Sequence, residues 1–244
     1  MVQLFVGNKS QLVVPYGMKQ GSEGPSKLEA FIRDWGAPDR LFRDNSKMQN
    51  SEAWRKLERM YQIKYATCEP DNQHQNPAER KIQTVKNGVN RIMDRTGTPK
   101  FAWFECLDYF CAVLNVSATP ALGHRTPLEV SLGYTADISP YIAYEWWEPV
   151  YYLDYEDPSF PQSKEKVGRF CGPVPNCGDM LTFKIYVKET HQIIHRSVLR
   201  SAKDDKGQPN LRAANPNYSA DDGNASEISD IDYTEELHAL ASDE

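Results

Sequence analysis

Short β-rich runs alternate with helical periodicity through the first 140 residues, and this alternation limits the possible fold more than any other feature. Runs rich in β-branched, aromatic and leucine residues occur at 3–6, 10–16, 40–43 and 63–67. The stretches between them repeat apolar residues three and four positions apart, as amphipathic helices do. Strands and helices in alternation are typical of an α/β layer fold. We therefore predict an α/β domain over residues 1–140.

Four helices and one shorter helix are predicted in this domain. The apolar spacing predicts helices at residues 26–35, 51–61, 77–96 and 101–116, with a short helix after Thr126. We expect Ser26 to cap the first helix and Gly36 to end it. Pro77 occupies the first position of the third helix, where its missing N–H costs nothing. The run at 101–116 is apolar on nearly every side, so we expect that helix to be buried.

The pattern changes near residue 145. Short β-rich runs separated by Gly, Pro and Asn follow, and they predict a small all-β module over residues 145–201. The module begins with four aromatic residues, Trp146, Trp147, Tyr151 and Tyr152. These aromatics are expected to form the core of the module, and the alternative is a surface that binds a protein partner.

Charge is distributed unevenly along the chain. The net charge is −6, but residues 203–244 alone hold three basic and 11 acidic residues. The remainder, residues 1–202, has 25 basic and 23 acidic residues and is mildly basic. A polar acidic segment cannot bury enough apolar surface to offset its ordering entropy, so we predict a disordered acidic tail over residues 202–244. The mildly basic body is compatible with a nucleic-acid partner.

Targeting and redox features are sparse. The five cysteines include no CxxC pair, which argues against a disulfide framework and indicates a reducing compartment. The first residues lack a secretory signal pattern, and no apolar run approaches the length of a membrane span. We therefore expect an intracellular protein that is not secreted and has no membrane partner.

Two acidic residues occupy positions that suit chemistry. Asp44 directly follows a predicted strand, at the strand end where open α/β sheets place their ligands. Glu79 lies in the first turn of the 77–96 helix, where the helix dipole favours an anion. Taken singly, Asp44 is an ordinary turn residue and Glu79 an ordinary surface glutamate. On that helix Glu79, Gln83, Lys86 and Asn90 fall within about 60° of arc beside the apolar stripe, and Arg80, Arg91 and Arg95 lie outward.

Several motifs together resemble a known family. They are the residues around Gln3–Gly7, the run from Arg43 to Ser46, and His74-Gln75-Asn76-Pro77-Ala78-Glu79-Arg80. Segments around Leu114–Val116 and Thr126–Glu129 continue the match, as do those from Gly168 to Gly172 and from Ile194 to Leu199. Over about residues 1–200, this pattern resembles the integrase catalytic core and C-terminal region of Copia-type LTR retrotransposon polyproteins.

The resemblance implies a ribonuclease-H-like fold of the retroviral integrase type with an Asp-Asp-Glu triad. Asp44 matches the second acid and Glu79 the third, and the triad holds Mg²⁺ or Mn²⁺. Gln75 and Lys86 match positions that contact DNA, and Gln83 does so more weakly. The first acid lies on a strand upstream of the Gln3–Gly7 motif, and no residue here matches it. We therefore expect a fold lacking its first strand and a chain that is inactive in this truncated form.

Three functions remain open. The first is DNA integration by two-metal polynucleotidyl transfer, with the element ends and target DNA as partners, a homo-oligomer, and a nuclear or cytoplasmic-particle location. The second is a non-catalytic nucleic-acid-binding remnant that uses Lys86, Arg91 and Arg95. The third is a protein-interaction remnant that uses the acidic tail and the aromatic cluster.

Overall fold

The computed structural model describes residues 1–43, 49, 51–67, 77–154, 163–175, 177, 181–203, 209–210 and 213. Its strands are β1 (Val2–Val6), β2 (Val13–Gly17), β3 (Arg40–Arg43), β4 (Lys64–Thr67), β5 (Pro149–Leu153), β6 (Glu165–Pro173), β7 (Phe183–Val187), β8 (Gln192–Arg196) and β9 (Leu199–Ser201). Its helices are α1 (Gly24–Trp35), α2 (Glu52–Met60), α3 (Pro77–Thr96), α4 (Trp103–Val116), α5 (Pro127–Leu132) and α6 (Ser139–Ile142). The fold is mixed α/β, as the alternation of elements predicts.

Helix ends follow local capping chemistry, with one correction to the predictions. Ser51 caps α2 by accepting a hydrogen bond from the Trp54 amide, and Thr126 caps α5 in the same way through Glu129. The prediction that Ser26 caps α1 is wrong, because that helix begins at Gly24 and the Ser26 hydroxyl donates to the Glu23 carbonyl. A proline in the first turn presets the helical φ angle, so the helix starts ahead of the serine.

The fourth predicted helix differs from its expectation at the N-terminal end. A single 3₁₀ turn, Lys100–Ala102, precedes α4, which starts at Trp103. Burial on every side is wrong here, since Phe101 is 60% exposed and Trp103 is 38% exposed. The inward positions Cys106, Leu107 and Cys111 are buried as expected. The 3₁₀ turn and the first turn of α4 therefore present aromatic surface to solvent, although the run at 101–116 is mostly apolar.

The first two strands form an antiparallel hairpin whose outer edge is closed by a side chain. β1 pairs with β2 in the register Gln3 to Tyr16 and Val6 to Val13. Asn115 of α4 accepts a hydrogen bond from the Val13 amide at 2.8 Å and donates one to the Val13 carbonyl at 2.7 Å. Both residues are buried. The Asn115 amide thus acts as a short piece of strand on the free edge of β2.

The next two strands form a separate parallel pair. β3 runs alongside β4 with Arg40 opposite Lys64 and Leu41 opposite Tyr65. Within the described residues, no hydrogen-bonded strand joins this pair to the β1–β2 hairpin. α2 connects β3 to β4 along the chain, as parallel strands require a crossover.

Apolar layers cover both faces of the hairpin. Val2 and Leu4 pack into a cluster with Val85 and Val89 of α3. Phe5, on the opposite face of the same strand, packs into a second cluster with residues of α1 and α2, including Leu28 and Trp54. Alternate side chains of a strand point to opposite faces, so β1 lies between two helical layers. This is an interior position and not the surface of a sheet.

The last five strands form one antiparallel sheet in the order β8-β7-β6-β5-β9. Two residues separate β8 from β9 along the chain, and β6 is the longest of the five strands. Trp146 and Trp147 are buried against α3 and α4, whereas Tyr152 packs with Phe170 inside the sheet. The aromatic cluster is therefore core, and it connects the sheet to the α/β layers.

Ordered contacts continue past the expected start of the tail. The Ala202 amide donates to the Pro149 carbonyl, and the Asn210 amide donates to the Tyr151 hydroxyl at 2.9 Å. The Asn210 side chain also donates to Glu165. Contacts with the sheet thus extend at least to Asn210, and residues 214–244 of the predicted tail lie outside the described residues.

Candidate functional site

A cleft of about 1870 Å³ lies between the two small sheets. Its lining includes every residue from Met1 to Gly7, together with Arg40, Leu41 and Phe42 of β3. Helices α3 and α4 form another part of its wall. The cleft is the place near β3 where the fold brings together predicted site residues that the structure describes.

The α3 residues of the predicted site divide between the cleft and the outer surface. Glu79, Lys86 and Asn90 line the cleft, while Val85 and Val89 beside them are buried in the core. The burial of Val85 and Val89 agrees with the apolar stripe that the sequence predicts on this helix. Gln83 does not line the cleft, and its side chain donates instead to Asn87 at 2.8 Å. The helix geometry thus supports Glu79 and Lys86 as cleft residues more than Gln83.

Asp44 and Gln75 lie outside the described residues. Asp44 follows Arg43, the last residue of β3, and Gln75 precedes α3 by two positions. Both β3 and the first turn of α3 border the cleft. The chain therefore enters and leaves the segments that contain these two residues beside the same cleft.

The outer face of α3 is cationic. Arg80, Arg91 and Arg95 are exposed on this face, and Lys86 is exposed at the border of the cleft. Glu79 and Asp94 are the acids on this helix, and they are also exposed. Lys81 differs from the others because it is partly buried, and burial lowers its pKa. The helix displays more positive than negative charge to solvent, with the amides of Gln83, Asn87 and Asn90 among the cations.

The described residues do not form the metal site that the resemblance implies. Among them, no group of three or more His, Cys, Asp or Glu could hold one metal ion. Mg²⁺ and Mn²⁺ are hard cations that take several oxygen ligands. The described acids that line the cleft are Asp39 and Glu79. Since this donor set does not fit a two-metal centre, the nucleic-acid binding proposed below does not depend on a bound metal.

Two structural roles are not predicted from the sequence. Asn115, in the motif around Leu114–Val116, holds the edge of β2. Lys184 of β7 reaches across to α4 and contacts Asp108 at 2.9 Å and Glu105 at 3.2 Å. Burial acts to lower the pKa of Lys184, but the two carboxylates outweigh it and raise that pKa. No local pattern signals either contact, because the partners are far apart in sequence.

Sequence comparisons leave the family open. No family model matches the chain, and no curated protein matches it. Within the described residues, no helix has both the length and the apolar character needed to cross a membrane.

Solved structures that are similar to this chain include a viral intasome and viral integrase catalytic core domains. One is the simian T-cell lymphotropic virus intasome in complex with PP2A regulatory subunit B56 gamma, at 17% identity and a TM-score of 0.45, covering 83% of this chain and 74% of that one. Two others are forms of the HTLV-2 integrase catalytic core domain in complex with magnesium. The trimeric form has 19% identity and a TM-score of 0.44, and the match covers 53% of this chain and 83% of the HTLV-2 chain. The dimeric form has 18% identity and a TM-score of 0.43, and the match covers 55% of this chain and 84% of the HTLV-2 chain.

Proposed function

We propose that this chain is an integrase-type nucleic-acid-binding domain that contacts the phosphate backbone through the exposed cations of α3. The observation that carries the proposal is the exposure of Lys86, Arg91 and Arg95 on one 20-residue helix. These cations extend over about 14 Å of helix, at 1.5 Å per residue. Phosphate contacts by Lys and Arg supply most non-specific affinity for nucleic acid, and neighbouring amides add hydrogen bonds.

The surroundings of α3 support this assignment. The inner face of the helix is anchored by Val85 and Val89, which are 1% and 6% exposed. A helix fixed in this way presents its cations on a rigid support, so less backbone entropy is lost on binding. The exposed acids of this helix, Glu79 and Asp94, are fewer than its exposed cations, Arg80, Lys86, Arg91 and Arg95.

Binding of a labelled DNA duplex, followed by fluorescence anisotropy over a salt series, tests the proposal. Replacing Arg91 and Arg95 by alanine is expected to weaken binding at least tenfold and to reduce the salt slope by about one for each phosphate that the variant no longer neutralises. The matched control replaces Lys164 and Lys188, two exposed lysines of the five-stranded sheet region. Equal losses in both double variants, or no binding by the parent at low salt, would contradict the proposal.

The catalytic part of the proposal concerns Asp44 and Glu79. We assign them as two acids of a divalent-metal site of the integrase type, with Mg²⁺ or Mn²⁺ as the ion. The support is that Glu79 lines the cleft that β3 also borders, and that Asp44 comes one position after β3. Two acids hold such ions weakly, so the chain by itself is proposed to be inactive in strand transfer.

Strand transfer with Mn²⁺ on a donor-end oligonucleotide tests the catalytic part separately. The expected result is no product from the parent chain while DNA binding persists. Product formation that Asp44→Asn abolishes would show an active centre and overturn the proposed inactivity. The anisotropy experiment is unaffected by that outcome, so the two parts can fail independently.

Burial of the aromatic cluster argues against its use as a surface that binds a protein partner. Trp146, Trp147, Tyr151 and Tyr152 are each less than 10% exposed, so they do not form a surface for a partner. The DNA partner, the homo-oligomer and the nuclear or particle location that accompany an integrase remain part of the proposal.

A further inference from the structure

The two exposed aromatic residues at the start of α4 lie in different surroundings. Trp103 lines the cleft and packs edge-on against Phe104. The ring of Phe101 instead lies against the five-stranded sheet, with its centroid 5.0 Å from that of Tyr186 and 6.3 Å from that of Trp147. Phe101 is 60% exposed, whereas Tyr186 and Trp147 are 8% and 7% exposed. Phe101 thus presents most of its ring to solvent on a support of two buried rings.

The support beneath Phe101 is held in place from two sides. The rings of Tyr186 and Trp147 stack at a centroid distance of 5.5 Å and an angle of 24°. On the other side, the turn that carries Phe101 follows Thr98, which is buried and accepts a hydrogen bond from the Trp146 indole at 2.9 Å. A ligand that stacks on Phe101 therefore meets a preorganised surface, and preorganisation lowers the entropic cost of binding.

The sheet residues on either side of Tyr186 differ in character. Tyr186 pairs with Arg169 of β6 and with Ile193 of β8, and the side chains of paired residues lie on the same face of a sheet. Arg169 is exposed, and its guanidinium donates to the Trp147 carbonyl at 3.3 Å. Ile193 is 38% exposed. The aromatic support therefore has an exposed cation on one side and an apolar side chain on the other.

The acids near Phe101 do not cancel the charge of Arg169. Glu105 follows Phe101 by four positions, but its carboxylate is held by Lys184 at 3.2 Å. Lys188 and Glu189, directly after β7, are both exposed and have opposite charges. The surface around the exposed ring therefore keeps a positive charge.

The exposed ring also follows the cations of α3 along the chain. Arg91 and Arg95 are four residues apart, about 6 Å along the helix axis, and α3 ends one residue after Arg95. Lys100 is exposed and immediately precedes Phe101. A nucleic-acid strand whose phosphates contact Arg91 and Arg95 can therefore continue past the end of α3 to Lys100 and Phe101.

An exposed aromatic ring among cations suits a nucleobase better than a protein surface. Proteins that bind single strands combine basic residues, which contact phosphates, with aromatic rings on which bases stack. A base inside a duplex is already stacked on its neighbours, so an unpaired base is the one with a free face. A stable protein interface buries about 800 Å² on each partner around an apolar centre, whereas the apolar side chains exposed here are Phe101 and Ile193, beside Lys100 and Arg169.

We infer that Phe101 stacks on an unpaired base of a nucleic-acid strand whose phosphates are bound by Lys100 and Arg169. The inference rests on the proposed function, because the cations of α3 bring the strand to this surface. It makes the preferred ligand a duplex that carries a single-stranded extension. Every base has a flat aromatic face, so DNA and RNA extensions share the chemistry that this site recognises.

Fluorescence anisotropy with matched DNA probes tests the inference on the full chain. One probe is a labelled duplex with a single-stranded thymine extension, and its control has the same extension built from abasic sites, which keeps the phosphates and removes the bases. The parent chain is expected to bind the thymine probe at least about fivefold more tightly than the abasic probe, as stacking of one base provides. Phe101→Ala is expected to remove this preference and Phe101→Trp to keep it. The matched control is Tyr134→Ala, since Tyr134 is also 60% exposed, and it is expected to keep the preference.

Photochemical cross-linking locates the contact without any variant. An extension that contains 5-iodouracil is irradiated in complex with the parent chain, and mass spectrometry is expected to find the cross-link at Phe101. The same duplex with a uracil RNA extension forms a second arm, and the tighter of the two extensions identifies whether DNA or RNA is the preferred strand.

The two proposals can fail separately. If the parent does not bind a blunt duplex at low salt, the proposed function fails. If it binds the duplex but does not distinguish base-containing from abasic extensions, this inference alone fails, and the surface is left to a protein partner. A preference that persists in Phe101→Ala, or a cross-link at Tyr134 and not at Phe101, would also overturn the inference.

Discussion

A single buried amide, that of Asn115, connects two parts of the chain that are 102 residues apart. It satisfies both backbone groups of Val13, which is fully buried. A buried donor or acceptor that loses its partner costs about 1–3 kcal/mol. Asn115 therefore stabilises the fold more than an ordinary polar residue, and its motif position has a structural explanation.

Replacing Asn115 by alanine is expected to lower the free energy of unfolding by about 2–5 kcal/mol, because two buried groups lose their partners. Urea unfolding measured by circular dichroism checks the change. The control is Asn87→Ala on the exposed face of α3, which is expected to change stability by less than about 0.5 kcal/mol. Similar midpoints for the two variants would contradict the proposed role of Asn115.

At the scale of elements, α3 and α4 approach each other closely at a glycine. A Cβ atom built on Gly88 would overlap the ring of Phe110. Alanine normally stabilises a helix over glycine by about 1 kcal/mol. Here the ring occupies the space that the methyl group needs, so the packing between the two helices explains why glycine is present.

The Gly88→Ala variant is expected to lose about 1–3 kcal/mol of stability, the usual cost of overpacking. Phe110→Leu in the same chain removes the ring, so the double variant is expected to lose less than the sum of the single losses. Thermal unfolding of the four proteins checks this cycle. Gly21→Ala serves as control, since its added Cβ would meet nothing within 4 Å. A stabilised Gly88→Ala variant would contradict the packing argument.

A second contact between elements joins the five-stranded sheet to α4. Lys184 is held by Glu105 and Asp108, and these carboxylates are 26% and 37% exposed in their side chains. Partial exposure screens the attraction, so the contribution is smaller than the roughly 3–5 kcal/mol that breaking a fully buried pair costs. The contact nonetheless fixes the sheet against the helix that also holds Asn115.

Replacing Lys184 by methionine is expected to lower stability by about 1–3 kcal/mol near neutral pH. The fold raises the pKa of Lys184, so its contribution is complete below the unfolded pKa of about 10.4 and is lost as the pH rises through the higher folded pKa. Urea titrations from about pH 6 to 11 check this. The gap between parent and variant should stay constant to about pH 10 and then narrow, whereas Lys188→Met should leave stability unchanged throughout. A gap that widens at alkaline pH would contradict the assignment.

At the scale of the whole molecule, local sequence patterns explain the elements, and long-range contacts explain how they fit together. The predicted bounds of α3 are the observed ones, because Pro77 marks its start and its apolar residues keep one period. The sequence does not predict the 3₁₀ turn before α4, since a mostly apolar run does not show which residues face inward or where the helix starts. The links from Val13 to Asn115 and from Glu105 to Lys184 join residues 102 and 79 positions apart, and no periodicity spans that distance. Of the candidate site, helix geometry places Glu79 and Lys86, while the cleft itself depends on how two sheets are spaced.

The distribution of thiols through the molecule gives a final prediction. Cys106, Cys111 and Cys171 are buried, and burial raises the pKa of each thiol to about 12. At about pH 8 only about one thiol in ten thousand of this kind is ionised, and the thiolate is the reactive form. Cys177 is exposed.

In a Cys68→Ser background, used because Cys68 lies outside the described residues, the native chain is expected to react with one equivalent of a disulfide reagent within minutes. Adding Cys177→Ser should abolish that reaction. In urea, the three buried thiols of this variant should then react more slowly, as the chain unfolds. Rapid labelling of more than one thiol in the folded chain would mean that the core joining the sheet to α4 opens readily, contrary to the packing described above.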